Sequence, residues 1–319
     1  MKKSVLAKII GGMLVLLISS FAFAQDEDSA KKFSGVTFVS FKTHLTYNIG
    51  QDTAAYPAAR TLKPFAINKY ETCYNLWYQT RIKAEKIGYY FENPGQGGTN
   101  GKRGAAPTAE NKYQPVTNIS WYEAIVWCNA LSELKGKTPC YTYNGIVLKD
   151  SSDTASCDLC TCNWDADGYR LPSESEWEFA ARRTKNGFQK GNLVSGQTSA
   201  NNDEEAYLYA WTCDNSGATH NVGTAGVPFD PDTITEPATG NANGAGLYDM
   251  SGNILEYCWD WFGDYTADGI YGPSVGYERV SRGGSISDYN MFYYAGDRYS
   301  YDPNACYNYL GFRLAYTVQ

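Results

Sequence analysis

Nine cysteines and only two histidines limit the chemistry open to this 319-residue chain. Its densest reactive group is Cys157-Asp-Leu-Cys160-Thr-Cys162, with Cys140 upstream. Two chemistries use such spacing: a metal knuckle built on thiolates, and a disulfide staple closing the 140–162 excursion. The staple is the better reading, because a zinc site wants a fourth ligand at matched spacing and neither His44 nor His220 supplies one. An odd count leaves at least one thiol unpaired within the chain. The Ser285 hydroxyl, in Arg282-Gly-Gly-Ser285, is no nucleophile without a base, and neither histidine is placed in sequence to be that base.

The second concentration is aromatic and polar. Residues 285–309 hold seven of the chain's 27 tyrosines, together with Asn, Asp and Ser. Tyrosine offers large contact area at low entropic cost, and Asn and Ser offer adaptable hydrogen bonds, which is the composition of a paratope. The segment therefore proposes Asp288, Tyr289, Asn290, Tyr293, Tyr294, Asp297, Tyr299, Tyr301, Asn304, Tyr307 and Asn308 as ligand contacts. Asn290, Tyr293, Tyr294, Asn304 and Tyr307 stand foremost. Asp288, Asp297 and Asp302 bias the surface toward basic or polar ligands, partly offset by Arg298. The competing assignment for these tyrosines is the core.

The elements that position these residues begin with an export signal. Lys2, Lys3 and Lys8 precede the apolar run Ile9–Ile18, and Ala22-Phe23-Ala24 places small residues before Gln25. That is the three-part layout of a signal peptide over 1–24, too short to span a bilayer comfortably. Residues 25–34 read as a flexible lead-in and 35–319 as one domain. No second membrane span follows, and a net charge of −7 argues against nucleic acid.

Strands are expected at 36–41, 47–50 and 65–70, a helix over 72–87, and a long Gly/Pro/Asn-rich loop at 93–114. Ser120-Trp-Tyr-Glu123 and Ser173-Glu-Ser-Glu176 are capping boxes that start two further helices. Beyond residue 190 the chain reads as turns and short strands. The fold class is α+β, helices packed beside irregular β structure.

Five blocks then fall in order: Pro115-Val-Thr-Asn-Ile-Ser-Trp-Tyr-Glu-Ala124, Gly168-Tyr-Arg-Leu-Pro-Ser-Glu-Ser-Glu-Trp-Glu-Phe-Ala-Ala181, Gly246-Leu-Tyr-Asp-Met-Ser-Gly-Asn-Ile-Leu-Glu256, Arg282-Gly-Gly-Ser285 and Gly311-Phe-Arg313. Together they resemble the sulfatase-modifying-factor family of formylglycine-generating enzymes. The resemblance implies a loop-rich C-type-lectin-like fold over nearly all of the chain after the signal.

That fold serves oxidases, ergothioneine-synthesis enzymes and binders, including the variable proteins of diversity-generating retroelements known in treponemes, so the site must choose among them. The oxidases carry a copper-binding cysteine pair three and eight residues after the serine. Asp288 and Tyr293 stand there instead, and neither replaces a thiolate for copper(I); no copper is expected.

Two further implications come from the resemblance alone. Some members pair the cysteine equivalent to Cys128 with one after Gly-Phe-Arg, where this chain has Leu314, so Cys128 reads as a buried small hydrophobe unless another thiol such as Cys258 meets it. Asp249, Gly252, Ile254 and Glu256 occupy calcium-site positions, and a structural calcium ion is expected on them. The expectation is an exported, non-catalytic binder of a protein or glycan, in the periplasm, on the cell surface or secreted. The alternatives are a sulfatase-modifying-type enzyme with altered chemistry and an envelope scaffold partner.

Overall fold

Short strands dominate because Gly, Pro and Asn interrupt the apolar runs before any long ladder can form. The computed structural model describes residues 33–50, 58–230, 232–265, 272–289 and 293–319. The signal-peptide reading and Asn290 lie outside them. Residues Ser34–Gln319 form one unit. Among the described residues no helix is long and apolar enough to cross a membrane.

The two ends of this unit are stitched together. Strands β1 (Phe38–Phe41) and β4 (Phe65–Asn68) pair antiparallel, and β14 (Ala315–Thr317) joins the other edge of β4. A hairpin of β2 (Leu45–Ile49) and β3 (Ala58–Leu62) lies between β1 and β4 in sequence.

Helix α1 (Tyr74–Ala84) falls within the expected 72–87 span. Strands β5 (Gln96–Gly97) and β6 (Val116–Thr117) pair antiparallel, and Ser120 then opens α2 (Trp121–Leu134) as its capping box predicts. Its hydroxyl accepts from Tyr122 and Glu123 N–H, and Glu123 accepts from Ser120 N–H. Residues 121–132 of α2 are buried without a break, so this is a core helix rather than an amphipathic surface one. Trp127 stacks on Trp77 of α1 at 5.5 Å, and the Phe312 ring meets both edge-on.

The 140–162 excursion folds as β7 (Tyr141–Tyr143), β8 (Ile146–Val147), the short helix α3 (Thr154–Asp158) and β9 (Thr161–Cys162). Register β7–β9 brings Cys140 and Cys162 together, and their thiols share a hydrogen bond. All nine cysteines are free thiols in this structure. Cys128 is buried beside Cys140 in the α1–α2 core, whereas Cys258 belongs to a different cluster.

The central sheet has the order β12 (Arg298–Tyr301), β11 (Arg279–Arg282), β10 (Leu255–Trp261), β13 (Leu310–Gly311), antiparallel except for β10–β13. Helix α4 (Glu174–Ala181) packs on it, started by the second capping box.

Three glutamates of this helix, Glu174, Glu176 and Glu178, are buried. A buried carboxylate costs several kcal/mol unless it is paired and hydrogen-bonded, and each here has a guanidinium. Arg298 grips Glu174 through Nε and Nη2 at 2.5 and 2.8 Å. Arg170 grips Glu176 at 2.6 and 2.8 Å. Glu178 accepts from Arg182 at 2.9 Å and from Arg282.

Glu178→Ala should therefore leave the buried Arg282 charge without its closest carboxylate. An expected loss of about 3–5 kcal/mol, read from urea unfolding, follows. A loss below 1 kcal/mol, roughly what an exposed pair contributes, would contradict the pairing.

Candidate functional site

The Tyr-rich segment leaves the frame at Arg282 and returns at Arg313, and its residues divide between inside and outside. Gly283 takes a left-handed φ of 98°, which a side chain would resist, and turns the chain out of β11. The Asp288 carboxylate then accepts from both the N–H and the hydroxyl of Ser285, each at 2.8 Å, and closes a tight turn. Partial burial raises the Asp288 pKa, against the lowering effect of those two bonds. Tyr289, 63% exposed, shares a hydrogen bond with the Cys213 thiol.

Tyr293 is 1% exposed and packs with Val194, Ala206 and Ala210, and with Tyr294 it lines a cavity of about 310 Å³. Tyr294 is half-buried beside it, and Asp297 caps the following turn by accepting from Tyr294 N–H at 2.9 Å. Arg298 does not temper the surface charge, because Glu174 holds it. Tyr299 and Tyr301 lie half-buried on β12.

The outward face forms after β12. Asp302 accepts from Asn304 N–H, and Tyr257 donates to the Ala305 carbonyl, which fixes a loop over the start of α2. Asn304 and Tyr307 are exposed on it. Tyr307 stacks on Tyr309 at 5.2 Å with planes 2° apart and meets Tyr301 at 5.3 Å. Beside it a cavity of about 400 Å³ is lined by Thr99, Asn100, Asn118, Tyr307 and Asn308. Thr99, Asn100 and Asn118 were not among the sequence-predicted contacts. The only signal for Thr99 and Asn100 was their place in the long polar loop, and nothing marked Asn118.

The calcium positions arrange differently from a chelating set. Trp177 and Arg313 both donate to Glu256 Oε2, at 2.7 and 2.6 Å, and Arg313 donates to Oε1 at 2.5 Å. Glu256 thus has no free chelating edge. Gly252, at φ 74°, packs where a Cβ would come within 2.3 Å of the Trp211 carbonyl. Asp249 accepts from Gly223 N–H at 2.5 Å through one oxygen, and its other oxygen is buried without a partner. Among the described residues no three His, Cys, Asp or Glu side chains could hold a metal together.

Of this set, Glu256 is held by Trp177 and Arg313, and Asp249 Oδ1 is the carboxylate oxygen without a partner. Burial and the neighbouring carboxylates raise Glu71 well above the usual range, and burial pushes Asp249 up to about 6.

His220 is likewise occupied. It stacks on Trp211 at 3.8 Å and shares a 2.5 Å hydrogen bond with Ser216, and burial pushes its pKa down to about 4.

The sulfatase-modifying factor enzyme 1-like domain matches residues 29–318. The chain belongs to that family. A chaperone protein LppX of Paenibacillus barcinonensis is 33% identical over 208 residues, covering 63% of this chain and 64% of its own. A formylglycine-generating enzyme of Streptomyces coelicolor is 36% identical over 158 residues, 46% of each chain. The chain therefore spans less than two thirds of the length of these curated relatives.

Among solved structures, Treponema denticola variable protein 1 superposes with a TM-score of 0.69 at 28% identity, covering 89% of this chain and 95% of that one. CarF, at 23% identity and a TM-score of 0.62, shows the shared fold. Within this sulfatase-modifying-factor fold, one of the two positions where a copper-binding pair is expected is a turn carboxylate tied to Ser285, and the other is a core tyrosine.

Two tests follow. Tyr293→Ala should cost about 3 kcal/mol or more, as for truncating any buried aromatic ring, while Tyr307→Ala should cost about 1 kcal/mol or less; equal losses in chemical denaturation would erase the division between them. The second concerns Asp249. A carboxyl whose pKa is raised on folding contributes stability that is full below about pH 4 and lost as pH rises through 6. Asp249→Asn removes that loss, so its melting temperature relative to the native chain should climb across this window and stay higher above it. Chelator should leave both unchanged. A chelator-induced drop in the native chain that Asp249→Asn abolishes would put calcium back on the unpartnered Asp249 oxygen.

Proposed function

We propose that this chain is an exported, non-catalytic binding protein that presents residues 285–309 to a protein or glycan ligand. The observation that carries the reading is the exposed Tyr307–Asn304 face beside a polar cavity, fixed from behind by the Tyr301–Tyr307–Tyr309 ring cluster. Rigid aromatic contacts next to small polar side chains bind by area and adaptable hydrogen bonds, with little ordering cost.

The lysine-flanked apolar run and the Ala22–Ala24 cut support export. The likeness to a treponemal variable protein supports use of this segment as a variable surface. Formylglycine generation, the alternative, would need soft sulfur ligands where Asp288 and Tyr293 stand.

The full chain without its signal, screened against a glycan array and an extracted envelope-protein array, should retain a ligand. The double substitution Asn304→Ala with Tyr307→Ala should release it at nearly unchanged melting temperature. Copper titration should give no stoichiometric tight site, and a sulfatase peptide carrying the target cysteine should gain no aldehyde. Aldehyde formation, or ligand binding that the double substitution leaves intact, would overturn the proposal.

A further inference from the structure

Five of the chain's buried or half-buried arginines, Arg170, Arg182, Arg282, Arg298 and Arg313, each have a carboxylate within ion-pair distance. Arg279 has none among the described residues. It is 2% exposed, yet its guanidinium lies between two indoles, 3.6 Å from the Trp121 ring centre and 3.4 Å from that of Trp261. Its one protein hydrogen bond runs from Nη1 to the Trp259 carbonyl at 2.8 Å, and its enclosed Nε has no partner. Two indole faces offset part of the desolvation of a cation, but they accept none of its remaining N–H bonds.

Arg279 forms part of the wall of a cavity of about 870 Å³. No residue of 285–309 lines it, so it is separate from the face proposed above. The same cavity presents a second charge. Asp158 is exposed at its edge, accepts one hydrogen bond from the Tyr122 hydroxyl at 2.9 Å, and is not ion-paired to Arg279. Asp260, also in the wall, is committed to the backbone N–H groups of Glu174 and Gly272, each at 2.6 Å. Around these charges stand Trp259, Trp261 and two strongly exposed aliphatic side chains, Leu159 at 64% and Val275 at 77%.

A buried cation short of acceptors and an unpaired carboxylate, facing one cavity with aromatic and aliphatic walls, match a ligand that carries both opposite charges close together on an apolar body. A simple anion would satisfy Arg279 but meet the Asp158 and Asp260 carboxylates; a simple cation would leave Arg279 unmet.

We propose that this cavity binds an α-amino acid with an apolar side chain. The ligand carboxylate accepts from Arg279, its ammonium donates to Asp158, and its side chain lies against Trp261, Leu159 and Val275. A guanidinium–carboxylate hydrogen bond in a desolvated site is among the stronger contacts available to a small ligand, and it rejects analogues that lack the carboxylate.

Isothermal titration of the full chain without its signal, using L-phenylalanine and L-leucine as probes, tests this. Saturable binding is expected, weakened about tenfold or more for phenethylamine, which lacks the carboxylate, and for phenylacetate, which lacks the ammonium. Asp158→Asn, at an exposed position, should keep the melting temperature and lose amino-acid affinity while leaving phenylacetate no weaker. Arg279→Met should abolish amino-acid binding; if it fails to fold, the ligand series and Asp158→Asn still decide. No saturable binding of either amino acid, equal affinity for phenethylamine, or amino-acid affinity unchanged in Asp158→Asn would each overturn the proposal.

Discussion

The frame depends on buried guanidinium–carboxylate pairs converging on α4 and β10. Glu174, Glu176 and Glu178 on one short helix, with Glu256 on the neighbouring strand, receive Arg170, Arg182, Arg282, Arg298 and Arg313 from five separate places in the chain. Strands of two to seven residues contribute few ladder hydrogen bonds, so backbone pairing alone specifies little. Burying so many charges is close to neutral in net stability, because desolvation offsets most of the Coulomb attraction. Their effect is selective: any mispairing of these loops leaves a buried charge unmet, which costs far more than a lost apolar contact.

This explains how a variable-looking surface coexists with a fixed fold. Arg282 sits at the start of the Tyr-rich segment on Glu178, and Arg313 sits just beyond its end on Glu256. Between them Tyr293 and Arg298 pin the middle, the one by burial and the other on Glu174. Exposed positions such as Tyr289, Asn304 and Tyr307 carry none of these loads. Substitution there changes what the surface meets without removing a partner from the frame.

Legibility in the sequence followed the range of the interaction. Both capping boxes were readable because donor and acceptor lie three residues apart, and the helices they start are found where expected. The ion pairs were not readable: Arg282 and Glu178 are 104 residues apart and Arg298 and Glu174 are 124 apart, with no local pattern linking them. Composition marked 285–309 as unusual but could not tell which tyrosine faces inward, because Tyr serves equally as a core ring and as a contact ring. The pairing of Glu256 was hidden for a related reason, since a carboxylate at a calcium position and a carboxylate under an arginine look identical until Arg313 is placed. Nothing in the sequence pointed to Asn118, which joins the outward face only because α2 starts beneath the 302–309 loop.

Two buried guanidinia, Arg60 and Arg279, have no carboxylate at ion-pair distance among the described residues; Arg60 donates to the adjacent Ala59 carbonyl and lies over the Tyr265 ring, whereas Arg279 stands in a cavity wall. Arg279 shares β11 with Arg282, three residues on, and the two solve the same electrostatic problem differently. Arg282 faces α4 and its acids. Arg279 lies between Trp121 and Trp261 in a cavity wall, and desolvation lowers its pKa to about 10 where pairing raises that of Arg282. A guanidinium in that state still keeps its proton at neutral pH, so its unmet N–H groups remain donors. A cavity edged by an unpaired carboxylate and exposed aliphatic side chains is where a ligand could meet them.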